Sequence, residues 1–200
     1  MQLIGIVGQI NSGKDTVAQF LVDRYHFVPM AMADSLKILC HEFFRVPKQN
    51  LWGPSEQRTT KVRTLLQTLG TDVARRYNPN IWVIKFLERM EHIQKHGEDP
   101  YGLIDKFPLG HLRVVVPDVR FPNEANCIRD ESGKILRITR AGNYHDVGTA
   151  PDQRQHESEI AQTDITGDAL IKNNGTLREL EMLVYDTYEM LFNGGKNVSP

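Results

Sequence analysis

The chain has 200 residues, with 24 Lys and Arg against 25 Asp and Glu, a net charge of −1 and 40% hydrophobic residues. This length suits one α/β domain with a real core, and the balanced charge excludes the global basic field of non-specific nucleic-acid binding, so any basic site must be local and no nucleic-acid partner is expected. Two cysteines, Cys40 and Cys127, have no CxxC partner and exclude a disulfide framework or zinc ribbon, and the expected setting is a reducing cytoplasm, with no signal peptide before the first strand and no membrane-spanning stretch.

Gln2 to Val7 reads as a buried strand, followed by a helix from about Gly13 to Tyr25, a short strand near Phe27 to Met32 and a helix from about Asp34 to Phe44. That order is the βαβα opening of a parallel sheet. Pro47 to Thr60 reads as loop, Val62 to Arg76 and Ile81 to His96 as helices with Asn80 as an N-cap, and Gly97 to Gly110 as a surface insert. Leu112 to Val116 is the most strand-like segment and runs through Pro117 into Asp118. A further strand, Lys134 to Thr139, ends at Arg140, and Ala141 to His156 has the composition of a mobile lid. Asp168 to Lys172 is expected as the last strand. Thr176 and Glu179 form a capping box for a final helix with Leu177, Leu180, Val184, Tyr188 and Leu191 as its stripe, ended by Gly194 and Gly195. That stripe either supports a homodimer or is spent wholly on the core.

The run Gly8-Gln9-Ile10-Asn11-Ser12-Gly13-Lys14-Asp15-Thr16 joins the first strand to the first helix. Two glycines bracketing four residues let the backbone curl with its N–H groups inward, and Lys14 can then reach the β/γ-phosphates of a nucleotide, with the positive helix end beside it. Asn11, Ser12, Gly13, Lys14, Asp15 and Thr16 are thus the expected residues for the nucleotide's phosphates. The bland alternative is an ordinary glycine turn with Lys14 solvated. The strict pattern has Ser or Thr directly after the lysine to hold magnesium, whereas here Asp15 stands there and the hydroxyl comes at Thr16.

Phosphoryl transfer requires positioning and positive charge, so such a loop calls for a magnesium-side carboxylate and arginines from elsewhere. Asp118 follows an apolar strand whose carboxyl end would meet the ligand crevice, with Arg120 two residues on. Thr16 and Asp118 are the metal candidates, acting directly or through water, since magnesium needs only one or two protein oxygens. Arg137, Arg140 and Arg154 lie in or beside the lid; Arg140 is the first choice for the transferring phosphoryl group, with Arg120 or Arg154, and the alternative is that each merely solvates a surface loop.

Gly13-Lys14-Asp15-Thr16, Ala33-Asp34-Ser35-Leu36-Lys37, Leu66-Gln67-Thr68-Leu69-Gly70-Thr71-Asp72-Val73-Ala74-Arg75 with Asn80-Ile81-Trp82, and Asp118-Val119-Arg120-Phe121-Pro122-Asn123-Glu124-Ala125 together resemble bacteriophage deoxynucleoside monophosphate kinases. The resemblance spans most of the chain. It implies one P-loop nucleoside monophosphate kinase-like α/β domain over 1–200: a parallel sheet flanked by helices, a monophosphate-binding region at about 33–96 and a lid at about 140–158. It also implies ATP and magnesium as phosphoryl donor, Asp34, Lys37, Gln67 and Arg75 lining the acceptor, and Asp118 and Arg120 under the phosphates. Arg75 suits bidentate recognition of an acceptor phosphate, and Gln67 offers donor and acceptor to a base edge; an ordinary amphipathic helix is the alternative for this segment. Trp82 either stacks on a base or belongs to the core. Asn174 and Gly175 are candidate contacts for the donor adenine. The displaced hydroxyl resembles adenylate kinases, where glycine separates lysine from threonine.

The expected activity is transfer of the γ-phosphoryl of ATP to a deoxynucleoside 5′-monophosphate, in the host cytoplasm if the protein is phage-encoded. Alternatives are another acceptor, such as dephospho-coenzyme A or a hydroxymethylated pyrimidine in DNA, or a nucleotide-dependent switch. His92 with His96, and Cys40 with His41, have zinc-like spacing without a third ligand nearby, and His156 to Glu159 reads as lid or helix start.

Overall fold

Five parallel strands in the order β2-β3-β1-β4-β5 carry the first of two compact units, which comprises residues 1–30 and 111–200. The computed structural model describes residues 1–53, 58–104, 112–141 and 161–194. The strands are β1 (Gln2–Val7), β2 (Val28–Pro29), β3 (Arg113–Val116), β4 (Lys134–Thr139) and β5 (Ala169–Lys172). Gly5 pairs with Val116 of β3 on one side and Ile135 of β4 on the other, so β1 is central. Leu3 to Val7 are all buried, as a parallel strand covered on both faces requires. β2 is shorter than the strand expected over 27–32, and Pro29, which has no N–H to give, sits where an edge strand tolerates it.

One face is closed by α1 (Lys14–Tyr25) and the last helix, Leu177–Phe192. Ile4, Ile6, Val17, Leu21, Val115, Leu136, Ile138, Leu180 and Val184 form a single cluster there. In that last helix Leu180, Val184 and Tyr188 are buried and Leu191 packs against the cluster, so four of the five stripe residues go to the core, while Leu177, at the first helical position, is 64% exposed. Thr176 and Glu179 make the anticipated capping box. A helix that the sequence reading did not anticipate spans Pro122–Asp130, with Pro122 at its first turn and Ile128 fully buried.

The second unit, residues 31–110, is helical. It holds α2 (Asp34–Phe44), α3 (Lys48–Trp52), α4 (Thr60–Gln67), a π-helical run Thr68–Arg75 and α5 (Ile81–His96). Two expectations are corrected here. The stretch read as loop contains α3, which starts directly after Pro47 at its N-cap and is anchored by the fully buried Leu51. The single helix expected over 62–76 changes to π geometry at Thr68, where the buried Trp82 indole Nε1 donates to Gly70 O at 2.9 Å. Asn80 stands at the N-cap position of α5, and Asn80 N–H donates to Asn78 Oδ1 at 2.9 Å. Among the described residues no helix is long and apolar enough to cross a membrane.

Candidate active site

The chain runs from β1 to β2 and β3 on one side and then to β4 on the other, so the direction of winding reverses at the carboxyl end of β1. That is where a doubly wound sheet opens a crevice for ligands. The loop Gly8–Gly13 fills this point. Asn11 and Gly13 both adopt positive φ, 63° and 100°, turning the backbone back on itself before α1 begins. A Cβ on Gly8 would lie 2.5 Å from Ile138 O, and one on Gly13 would collide with Asn173 Nδ2. The loop is therefore pressed against the end of β4 and the turn after β5.

Asn173 secures that packing. Its Nδ2 donates to Ser12 O at 2.9 Å, and its own N–H donates to Thr139 O at 2.7 Å. Asn173 and Ser12 are both buried, and Ser12 Oγ has no hydrogen-bond partner among the described residues. Lys14 opens α1 with its ammonium donating to Gln9 O at 2.9 Å, and Asp15 and Thr16 follow in the first turn. The tight glycine loop, an unsatisfied hydroxyl inside it, a lysine over it and a helix start behind it fit a polyphosphate chain. A cleft of about 160 Å³ beside the loop is lined by Gln9, Ser12, Arg137, Ile138, Thr139, Arg140, Gln162 and Thr163.

Asp118 and Arg120 lie just past β3 at the same edge of the sheet. Val119 N–H donates to Ile6 O at 2.9 Å, which fastens this turn to β1. Arg120 Nε donates to Asp118 Oδ2 at 3.3 Å, with both side chains partly exposed. The buried Glu124 holds the turn, accepting Arg120 N–H at 2.7 Å and Phe121 N–H at 3.2 Å on Oε2. Asn173 did not stand out in the sequence, and Glu124 did so only within the Asp118–Ala125 run, although its place three residues after Phe121 and two after Pro122 is a legible helix-start signal.

Arg140 directly follows β4. Arg137, grouped with it as a lid arginine, is instead occupied by backbone: Nη2 donates to Gln162 O at 3.0 Å and Thr163 O at 3.1 Å, and Nε to Ile165 O at 3.1 Å. Arg154 and the lid beyond Ala141 fall outside the described residues. Asn174 Oδ1 accepts Ala141 N–H at 2.5 Å, and Gly175 lies against the Glu179 carboxylate.

In the second unit Asp34 and Lys37 are on the first turn of α2, 3.5 Å apart. Asp34 is buried and also bonded to Arg89 and Trp52. Gln67 closes α4, half-buried, and Arg75 closes the π run with Nη1 donating to Pro79 O at 3.2 Å. Trp82 takes the core alternative. Asp99 lies in the segment read as a surface insert, yet its side chain is fully buried against Arg89. Burial works against both charges, but their mutual hydrogen bonds and attraction prevail, so the Arg89 guanidinium is held above its ordinary value and the Asp99 carboxyl below its own. The His92 and His96 rings are 4.5 Å apart, but among the described residues no three His, Cys, Asp or Glu side chains converge on a metal position.

Known proteins supply the context. The sequence model of the deoxynucleotide monophosphate kinase family matches residues 49–184. A protein of Acanthamoeba polyphaga mimivirus named as a deoxynucleotide monophosphate kinase is 35% identical over 189 residues, covering 90% of this chain and 92% of its own length. The deoxynucleotide monophosphate kinase of Enterobacteria phage T4 is 26% identical over 133 residues, 65% of this chain and 46% of that protein. Among solved structures, the dephospho-CoA kinase from Campylobacter jejuni superposes with a TM-score of 0.51 over 98% of this chain and 100% of its own, at 15% identity, a likeness of fold alone. The chain belongs to the deoxynucleotide monophosphate kinase family, and its parallel sheet with a glycine loop after β1 is a P-loop kinase fold.

Proposed function

We propose that this kinase moves the γ-phosphoryl group of ATP onto the 5′-phosphate of a deoxynucleoside monophosphate in a magnesium-dependent reaction, giving ADP and the deoxynucleoside diphosphate. The observation that carries the reading is the loop Gly8–Gly13, packed so closely on Ile138 and Asn173 that neither glycine has room for a side chain, with the unpartnered Ser12 hydroxyl inside it. In the transfer, an oxygen of the acceptor phosphate forms a bond to the γ-phosphorus as the bond to the β,γ-bridging oxygen breaks, and that oxygen departs on ADP. Asn11, Ser12, Gly13, Lys14, Asp15 and Thr16 hold the donor phosphates, with Asn174 and Gly175 toward the adenine. Lys14 neutralises β/γ oxygens, while Arg140, with Arg120 or Arg154, neutralises the equatorial oxygens of the moving group.

Thr16 and Asp118 are the residues that would hold magnesium, which would offset the charge of the donor phosphates when bound. Asp34, Lys37, Gln67 and Arg75 serve the acceptor. The expected setting is the cytoplasm of a host cell, and the relatives from a mimivirus and a bacteriophage support it.

The test is ADP formation from ATP and magnesium with each deoxynucleoside monophosphate, each ribonucleoside monophosphate and no acceptor. Turnover that depends on a deoxynucleoside monophosphate is expected. Slow ATP hydrolysis indifferent to every monophosphate would overturn the reading in favour of a switch.

A further inference from the structure

A buried arginine that the phosphate chemistry does not use organises the second unit. Arg89, on α5, is 2% exposed; Nη1 donates to Asp34 Oδ2 at 2.7 Å, and Nε and Nη2 donate to Oδ1 and Oδ2 of Asp99 at 2.8 Å each. Asp99 also accepts the N–H groups of Tyr101, Leu103 and Ile104, and the Tyr101 ring covers the guanidinium at 4.9 Å. A buried triad of this kind costs desolvation that an apolar cluster of the same volume would avoid, so stability alone is a weak account of it.

Its far end points to a task. Asp34 Oδ2 accepts Ala31 N–H at 3.0 Å besides Arg89, and Oδ1 accepts Trp52 Nε1 at 3.0 Å and Lys37 Nζ at 3.5 Å. A carboxylate has about four acceptor positions, and here all four are occupied by the protein. Lys37 holds its place by one long contact, with its ammonium 5.8 Å from the Trp52 ring centroid and two further donors to offer.

We propose that Arg89 and Asp99 are positioning residues for the acceptor: they fix Asp34, which acts as the anchor of Lys37, and it is the Lys37 ammonium that meets the acceptor's phosphate. The inference rests on the reading that this unit takes the deoxynucleoside monophosphate. It changes Asp34 from a substrate contact to a support, and makes the segment from Asp99 to Ile104 part of acceptor recognition.

Steady-state kinetics on the full chain test it, with thermal midpoints measured alongside. Asp99→Asn and Arg89→Lys should each raise KM for the deoxynucleoside monophosphate about tenfold while KM for ATP stays within about twofold, as expected when one oriented charge-assisted hydrogen bond is lost. Lys37→Met should do at least as much, and Lys37→Met combined with Asp99→Asn should be no worse than Lys37→Met alone, because both act through one ammonium. A folded Asp99→Asn protein with unchanged acceptor KM, or a double variant whose effects multiply, would overturn the proposal while the kinase reading stands. A wild-type protein that turns over no deoxynucleoside monophosphate would remove the reading on which it rests.

Discussion

Lys14 and Asn173 have different parts in the proposed transfer: the first is the phosphate ligand, and the second holds the loop, its Nδ2 donating to Ser12 O. Lys14 bonds a carbonyl of its own loop at the surface, so removing its ammonium takes charge from the site with little change in packing. Lys14→Ala should lower kcat by at least about a hundredfold, on the scale of other preorganised phosphate and oxyanion ligands, with an unchanged melting curve; wild-type turnover would refute its role. Asn173 is buried, and its amide satisfies Ser12 O from 161 residues away. Asn173→Ala leaves that carbonyl without its donor and should cost about 1–3 kcal/mol in urea unfolding, with a raised KM for ATP as the loop loosens. Unchanged stability and KM would show that the loop holds its shape without it. Neither effect is readable from local sequence, because the two partners stand at opposite ends of the chain.

At the scale of elements, what could be read depended on periodicity. β1, β3, β4 and the last helix were legible because their apolar residues recur with the period of the structure they form. The Pro122–Asp130 helix was missed although Pro122 and Glu124 occupy a recognisable helix start, because it is short and mostly polar outside Ala125, Cys127 and Ile128. The π run was beyond local reading: its third residue, Gly70, accepts the Trp82 indole N–H from twelve residues on. Asp34 and Lys37 were picked out by resemblance, but Arg89, 55 residues from Asp34, was invisible until the helices were in place. That network also sets a pH dependence. A carboxyl held below its ordinary value lends stability that is whole above the usual carboxylate range and is lost as pH falls through its folded-state value. The second unit should therefore weaken below about pH 4, where an unfolded Asp begins to bind its proton. Both tryptophans, Trp52 and Trp82, lie in this unit, so thermal melts followed by tryptophan fluorescence report on it. Asp99→Asn should flatten the acid side of the midpoint-against-pH curve, and an equal acid fall in wild type and variant would contradict the assignment.

On the scale of the whole molecule, the fold brings the glycine loop, Asp118, Arg120 and Arg140 to the carboxyl ends of β1, β3 and β4, and the family places the chain among kinases of deoxynucleotide monophosphates. The near-zero net charge accords with small nucleotide substrates, which a few local cations recognise, rather than with a polymer bound through many phosphates. The direct measurement is the fate of the label from γ-³²P ATP, incubated with magnesium, wild-type protein and each deoxynucleoside monophosphate, then resolved by chromatography. The account predicts label in the β-phosphate of a deoxynucleoside diphosphate, formed with equal ADP and absent with Lys14→Ala. Label released only as inorganic phosphate at a rate indifferent to every monophosphate would contradict it.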